Sequence, residues 1–381
     1  MKKVLCSNSI LSQLGSGITG AMLTGSFALS VCAVTGRGLG VFLICSIICF
    51  VFSAKSKNQI FAPHVFLLLP LFYVLAQGSA LAWGLAVALG GLFYLCLTKF
   101  VQKAPVPDFV ASGMCLGIAV GVTILLTNSY FGIGADSFTP FDMLKEFRSL
   151  GFHPNFRGLF YGTITLFAMI TYPFKFRKLN KYIPAAFITL LIPYIFNLFL
   201  NPNKELTTIN ESVCLVLTEN IKAEFFSFID ISPLDIPCIL KGAVGFGAIL
   251  FVFGDSDTLT CPVNCASGVL SGIPVKEYPI RSYGIMSAIV SVVVIALSVF
   301  LCTPAFSRLP LHCAGAMLIV SAWQSLPTAS IKNVFKERNF IKIILTVICA
   351  VPFVLTDIFT SVLVAFILWA IFGKPSKKEV N

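Results

Sequence analysis

The sequence predicts an all-α integral membrane protein of about 14 transmembrane segments, arranged as 7+7 inverted repeats with two half-helices. Three observations carry that expectation. The first is composition: 57% of the 381 residues are hydrophobic and only 11% charged, with a mean hydropathy of +0.92. A soluble domain carries about 25% charged residues, so this chain has too little polar surface to coat a globule. The second is a ladder of apolar runs divided by short Lys/Arg clusters. The third is a short proline-headed apolar segment third from the start of each half, a spacing that points to an inverted-repeat transporter with its site at the breaks.

Each run in turn is long enough, or nearly so, to cross about 30 Å of hydrocarbon. In the first half these lie near 14–35, 39–54, 61–74, 79–98, 108–127, 157–173 and 182–199. The third, FAPHVFLLLPLFYV, opens on Pro63, and proline suits a first helical turn. Between the fifth and sixth, TPFDMLKEF reads as a surface helix capped by Thr139. The second half repeats the theme near 236–253, 258–270, a short tenth segment at Pro279, then 285–303, 310–326, 340–354 and 357–372. The expected division is therefore 1–199 as first repeat, 200–235 as an acidic extracytoplasmic loop, 236–372 as second repeat, and 373–381 as a cytoplasmic tail. Placing both termini in the cytoplasm puts the basic clusters at 55–57, 99–103, 175–181 and 332–342 on that side, as the positive-inside rule requires. The expected location is a cell (inner) membrane. MKKVLCSNSI lacks an apolar core with a cleavage site, so no removed signal peptide is expected.

The 27 Lys and Arg against 16 Asp and Glu are explained by this topology, and no nucleic-acid partner is inferred. The 13 cysteines are scattered through apolar segments with no C-x-x-C, and read as small buried hydrophobes. His64, His153 and His312 lie too far apart in sequence for metal-ligand spacing. No catalytic constellation is present, so the chain is not read as an enzyme, and no cofactor is implied.

Asn264–Tyr283, NCASGVLSGIPVKEYPIRSY, is the passage that organises the rest: a Gly- and Pro-broken stretch carrying Lys276, Glu277 and Arg281 between apolar regions. Broken backbone at membrane depth is tolerated only where protein or a water-filled cavity covers it. An intramembrane arginine is costly and marks function by default, although Arg281 has a structural alternative in an ion pair with Glu277, four residues earlier. Lys241 and Lys276 are expected to snorkel to an interface, and Asp255 and Asp257 to cap the ninth segment.

Several runs resemble the sulfate permease (SulP) family of anion transporters. APVPDFVASGMCLGIAVGVTILL (104–126) is similar to its fifth helix, NCASGVLSGIPVKEYPIRS (264–282) to its ninth and tenth, and 308–368 to its last three, including Thr346 and Asp357. TGSFALSVCAVTG and FAPHVFLLL look like its first and third helices. The resemblance implies a moving core domain (segments 1–4 and 8–11) against a gate domain (5–7 and 12–14), and a homodimer. It implies symport or exchange of a small inorganic or organic anion (sulfate, bicarbonate, chloride or dicarboxylate class), with H+ or Na+ as a possible coupling ion.

By motif position the resemblance places substrate-binding residues at Phe27, Val31, Pro63, His64, Val65, Pro279, Ile280 and Arg281. The chain departs from the family pattern in several places. The helix-one Pro-Gln falls on Ser26 and Phe27, the helix-ten hydroxyl falls on Ile280, and the eighth segment lacks its usual carboxylate. The stretch between segments ten and eleven is short, and no STAS domain is expected after the last span. Two rival readings follow: a carrier of the same fold for a neutral solute such as a nucleobase, and a passive anion channel or non-transporting membrane protein.

Overall fold

The structure, a computed structural model, describes residues 10–36, 38–56, 59–75, 80–101, 106–135, 137–151, 153–200, 235–253, 259–280, 282–306, 309–336 and 339–372. Of the expected loop 200–235, positions 201–234 lie outside those residues, as do the tail 373–381 and Asp255, Asp257 and Arg281, while Leu200 and Asp235 belong to helices.

Helices α1 (Ile10–Val34) and α2 (Leu39–Ser53) lead to strand β1 (Gln59–Pro63), a 3-10 turn (Val65–Leu67) and the half-length α3 (Leu68–Leu75). Then follow α4 (Ala80–Val101), α5 (Asp108–Phe131), α6 (Pro140–Leu150), α7 (Phe156–Lys175) and α8 (Ala185–Leu200). The second half contains α9 (Asp235–Phe253), α10 (Thr260–Ser271), strand β2 (Val275–Pro279), α11 (Ile285–Phe306) and α12 (Leu311–Gln324). It closes with α13 (Thr328–Lys336), α14 (Phe340–Ala350), α15 (Pro352–Leu355) and α16 (Ile358–Phe372). Stretches within α1, α4, α5 and α9 are long and apolar enough to cross a membrane by themselves. The protein is an integral membrane protein.

Local chemistry sets the boundaries. Thr139 accepts from the Asp142 amide with Pro140 in the first turn, so α6 starts as the sequence predicts. That hydroxyl and Lys145 together hold the exposed Asp142 carboxyl below its ordinary pKa. α10 ends on Gly272 at φ 67°, where its amide bonds the Gly268 and Ser267 carbonyls. Close helix contact is bought with glycine: a Cβ on Gly268 would lie 2.6 Å from the Ala88 nitrogen and 2.7 Å from the Gly84 oxygen.

The contacts pair off with an internal two-fold. α4 packs on α9 and α10, and in the mirror role α11 packs on α1 and α2. In the other body α5 packs on α12, with α7 against α12 matched by α14 against α5. So α1, α2, α4, α9, α10 and α11 form one body around the two strands, and α5, α7, α8, α12, α14 and α16 belong to the other.

β1 and β2 are antiparallel partners, with Ala62 opposite Lys276, Phe61 opposite Glu277 and Ile60 opposite Tyr278. The expected helical tenth segment is corrected here. β1 runs on into α3, whereas among the described residues β2 runs into a turn, with Ser282 at φ 56°, and α11 begins at Ile285. The five residues between Pro279 and Ile285 are too few for a half-helix, and Pro279 is the last residue of a strand, where its missing N–H costs no ladder bond.

Candidate functional site

Helix side chains hold each strand in place. The Ser53 hydroxyl accepts from the Phe61 amide at 2.9 Å and donates to the Cys49 carbonyl at 2.5 Å, while the Thr24 hydroxyl donates to the Phe61 carbonyl at 3.1 Å. On the other strand Asn264, fully buried, grips Val275 at both ends. Its amide nitrogen donates to the Val275 oxygen at 3.0 Å, and its oxygen accepts from the Val275 nitrogen at 2.9 Å. The Ser267 hydroxyl donates to the Ile273 carbonyl at 2.6 Å. α2 and α10 therefore do the same work in the two halves.

A cavity of about 1120 Å³ runs from the end of β2 to the face where α7 ends and α8 begins. Its walls are the α1 face from Ser12 to Phe27, the 180–186 turn, and the last turns of α7 and α12. The Thr19 hydroxyl bonds the Tyr182 carbonyl at 2.9 Å across it. Lys181 lines the mouth, beside Lys175, Arg177 and Lys178 in sequence. This mouth is therefore on the basic side.

On the opposite side, among the described residues, α16 packs on α3 and α15 on α6. The gap among Leu69, Tyr73, Phe138, Pro140, Phe353 and Ile358 is only about 10 Å³, no larger than the minimum for one water. There Lys241 Nζ on α9 lies 3.6 Å from Asp357 Oδ2 at the start of α16. The same carboxylate accepts from the Thr360 amide at 2.6 Å. Lys241, with 41% of its side chain exposed, thus also bridges the two bodies.

The predicted site residues divide. Phe27, Pro279 and Ile280 line the cavity. Val31, Pro63, His64 and Val65 are buried behind it. Arg281 lies outside the described residues. His64 Nδ1 accepts from the Phe66 amide at 3.2 Å, so it caps the turn before α3. Tyr278, which sequence reasoning passed over, joins the groups: its ring lies 5.8 Å from Phe27 in a stacked pair and 5.8 Å from His64. Only the alternation of VKEYP, once recognised as a strand, places Tyr278 on one face and Glu277 on the other. Lys276 Nζ sits 5.9 Å over the Phe253 ring. Among the described residues, no group of three or more His, Cys, Asp or Glu is placed to hold a metal ion.

No protein-family model matches the sequence, and no curated protein does. Solved structures do match. The transmembrane domain of a cyanobacterium bicarbonate transporter, BicA, aligns over 94% of this chain and 98% of its own, with a TM-score of 0.60 and 16% identity. SLC26A9 aligns over 95% of this chain and 65% of its own, at TM-score 0.70 and 12% identity. The chain shares this transporter fold. Murine Slc26a9, described as an anion transporter in the inward-facing state, aligns over 96% of this chain and 68% of its own, at TM-score 0.65 and 10% identity.

Proposed function

We propose that the protein is a secondary carrier of the sulfate-permease type, moving a small anion by alternating access. The observation that carries this reading is the asymmetry among the described residues: a cavity of about 1120 Å³ open to the basic face and a gap of about 10 Å³ opposite. That is the form expected of a carrier resting with one side open, whereas a channel needs a continuous path. Lys181 at the mouth and the neighbouring basic residues favour anions entering. The fold likeness to bicarbonate and anion transporters supports the same solute class. Arg281 is proposed as the cation that sets charge preference at the strand junction, and H+ or Na+ as the driving ion.

Phe27 and Ile280 at the cavity wall support a second reading, a neutral solute such as a nucleobase. Uptake of labelled sulfate, bicarbonate, chloride, a dicarboxylate and uracil into proteoliposomes, under imposed proton and sodium gradients, tests both. Saturable accumulation of one anion, lost in Arg281→Ala, is the expected result. Uptake of uracil alone overturns the anion assignment, and non-saturable flux overturns the carrier.

A further inference from the structure

The turn between α7 and α8 carries more than the entry of an anion requires. Residues 172–182 read YPFKFRKLNKY, and the basic positions 175, 177, 178 and 181 are interleaved there with Phe174, Phe176, Leu179 and Tyr182. All of these side chains are exposed, Phe174 at 82% and Tyr182 at 69%. A loop that only meets water needs its charges solvated and gains nothing from four large apolar groups beside them. Exposed apolar surface rimmed by charge marks an interaction site. The protein does not neutralise the cluster itself: among the described residues none of the four cations is in an ion pair.

The turn is a preformed element. The Phe176 carbonyl accepts from the Asn180 amide at 2.9 Å, and the Leu179 carbonyl accepts from the Tyr182 and Ile183 amides, each at 2.9 Å. The Tyr172 hydroxyl donates to the Ile183 carbonyl at 3.2 Å, and the Asn180 side-chain oxygen accepts from the Ala185 amide at 2.8 Å. Its depth follows from α7. Phe160, Phe167 and Phe174 are seven residues apart and all exposed, so each lies within about 20° of the last around the helix. In a membrane protein such an exposed aromatic stripe is the lipid-facing side. The stripe ends at Phe174 and the first cation follows at Lys175, which puts the turn where hydrocarbon gives way to headgroups. Phe174 also lines the cavity mouth, so this junction stands at the rim of the cavity.

Resting on the membrane placement of the chain and not on the solute it carries, we infer that this turn docks an anionic phospholipid at the rim of the cavity. The phosphate lies against Lys175, Arg177 and Lys178, and the acyl chains run along Phe174 and Phe167. Charge alone draws the turn to a negative surface but fades within a Debye length; the interleaved apolar side chains hold the cations at contact, as in other basic amphipathic segments. A soluble phosphate would satisfy the cations and leave the aromatic groups in water. A phospholipid satisfies both. Lys181, which lines the mouth, is left to face the lumen.

The test is titration of the purified full chain in detergent with dioleoylphosphatidylglycerol or dioleoylphosphatidylcholine, the bound lipid being counted by native mass spectrometry, with glycerol 3-phosphate and inorganic phosphate as soluble competitors. The expected result is that phosphatidylglycerol binds about tenfold or more tighter than phosphatidylcholine, and that neither soluble anion displaces it at equal concentration. Each of Lys175→Gln and Lys178→Gln should weaken phosphatidylglycerol about fivefold, and the triple variant with Arg177→Gln should abolish the preference. Lys175→Arg with Lys178→Arg should keep it. Phe174→Ser should weaken both lipids alike, because it removes apolar contact and no charge. If the triple variant does not fold, the single variants give the same reading. Equal binding of the two lipids, or a preference that survives loss of the charges, overturns the inference. Displacement by inorganic phosphate at equal concentration overturns it as well, by making the turn a site for soluble anions.

Discussion

Replacing Asp357 with asparagine removes a charge while keeping an oxygen to accept from the Thr360 amide, so α16 stays capped and only the contact with Lys241 is lost. At 3.6 Å two unit charges in water attract by about 1 kcal/mol. The two side chains are 41% and 30% exposed, which places the pair in the range of about 0.2–1 kcal/mol. On the carrier reading proposed above, and because Lys241 and Asp357 stand on different bodies on the side away from the cavity mouth, this energy favours the state open to the basic side. Its loss should raise the population open on the other side by up to about fivefold. Ile358 is 4% exposed and lines the closed gap, so a cysteine placed there reports the opening. In an Ile358→Cys background, labelling by an impermeant maleimide should accelerate by up to about fivefold with Asp357→Asn. Salt should shrink the difference, and Lys241→Gln should accelerate labelling to a similar extent, with no further gain in the double variant Lys241→Gln with Asp357→Asn. An unchanged or slower rate in Asp357→Asn would refute the latch.

Other expectations follow from single contacts. Asn264→Leu strands the Val275 N–H and C=O beside a buried side chain, and should cost about 1–3 kcal/mol, read as a lower thermal midpoint in detergent; an unchanged midpoint would show that Asn264 does not hold β2. Gly268→Leu forces α10 off α4 against backbone atoms at 2.6 and 2.7 Å, costing about 1–3 kcal/mol, with loss of monodisperse protein as the readout. His64→Asn keeps an acceptor for the Phe66 amide, so the pH profile of uptake should not move; a displaced profile would make His64 a titrating group in the cycle. His312 is fully buried, and its two ring nitrogens have no hydrogen-bond partner among the described residues. His312→Leu should therefore raise the thermal midpoint by an amount worth about 1 kcal/mol, and a fall would reveal a partner.

The long spans were legible because the bilayer imposes a length and a composition that a sequence displays directly. Thr139 before Pro140 was legible because capping is local. β1 and β2 were not: QIFAP and VKEYP are five residues each, and what makes them strands is a partner more than two hundred positions away. Pro279 was read as a helix start because proline also opens helices. The choice between strand and helix was settled by the five residues available before α11. Phe27, Pro279 and Ile280 reached the cavity because their positions depend on strand and helix register, which the motif spacing preserves. Lys241 and Asp357 were each visible, but their meeting depends on how the two bodies rest together, and no pattern along the chain encodes that.

A strand that continues into a helix in one half and into a turn in the other has a kinetic consequence. In a carrier built from two equivalent halves, the outward and inward states can be near mirror images, each half taking the shape the other had. On the carrier reading proposed above, exchange of shapes cannot be complete here, because among the described residues only one half has a short helix to contribute. The two loading states must then differ in affinity, and the half-saturation concentrations on the two sides of the membrane should differ with them. The maximal rates must compensate so that no net flux arises without a gradient. Unequal half-saturation would be the solution signature of one missing half-helix.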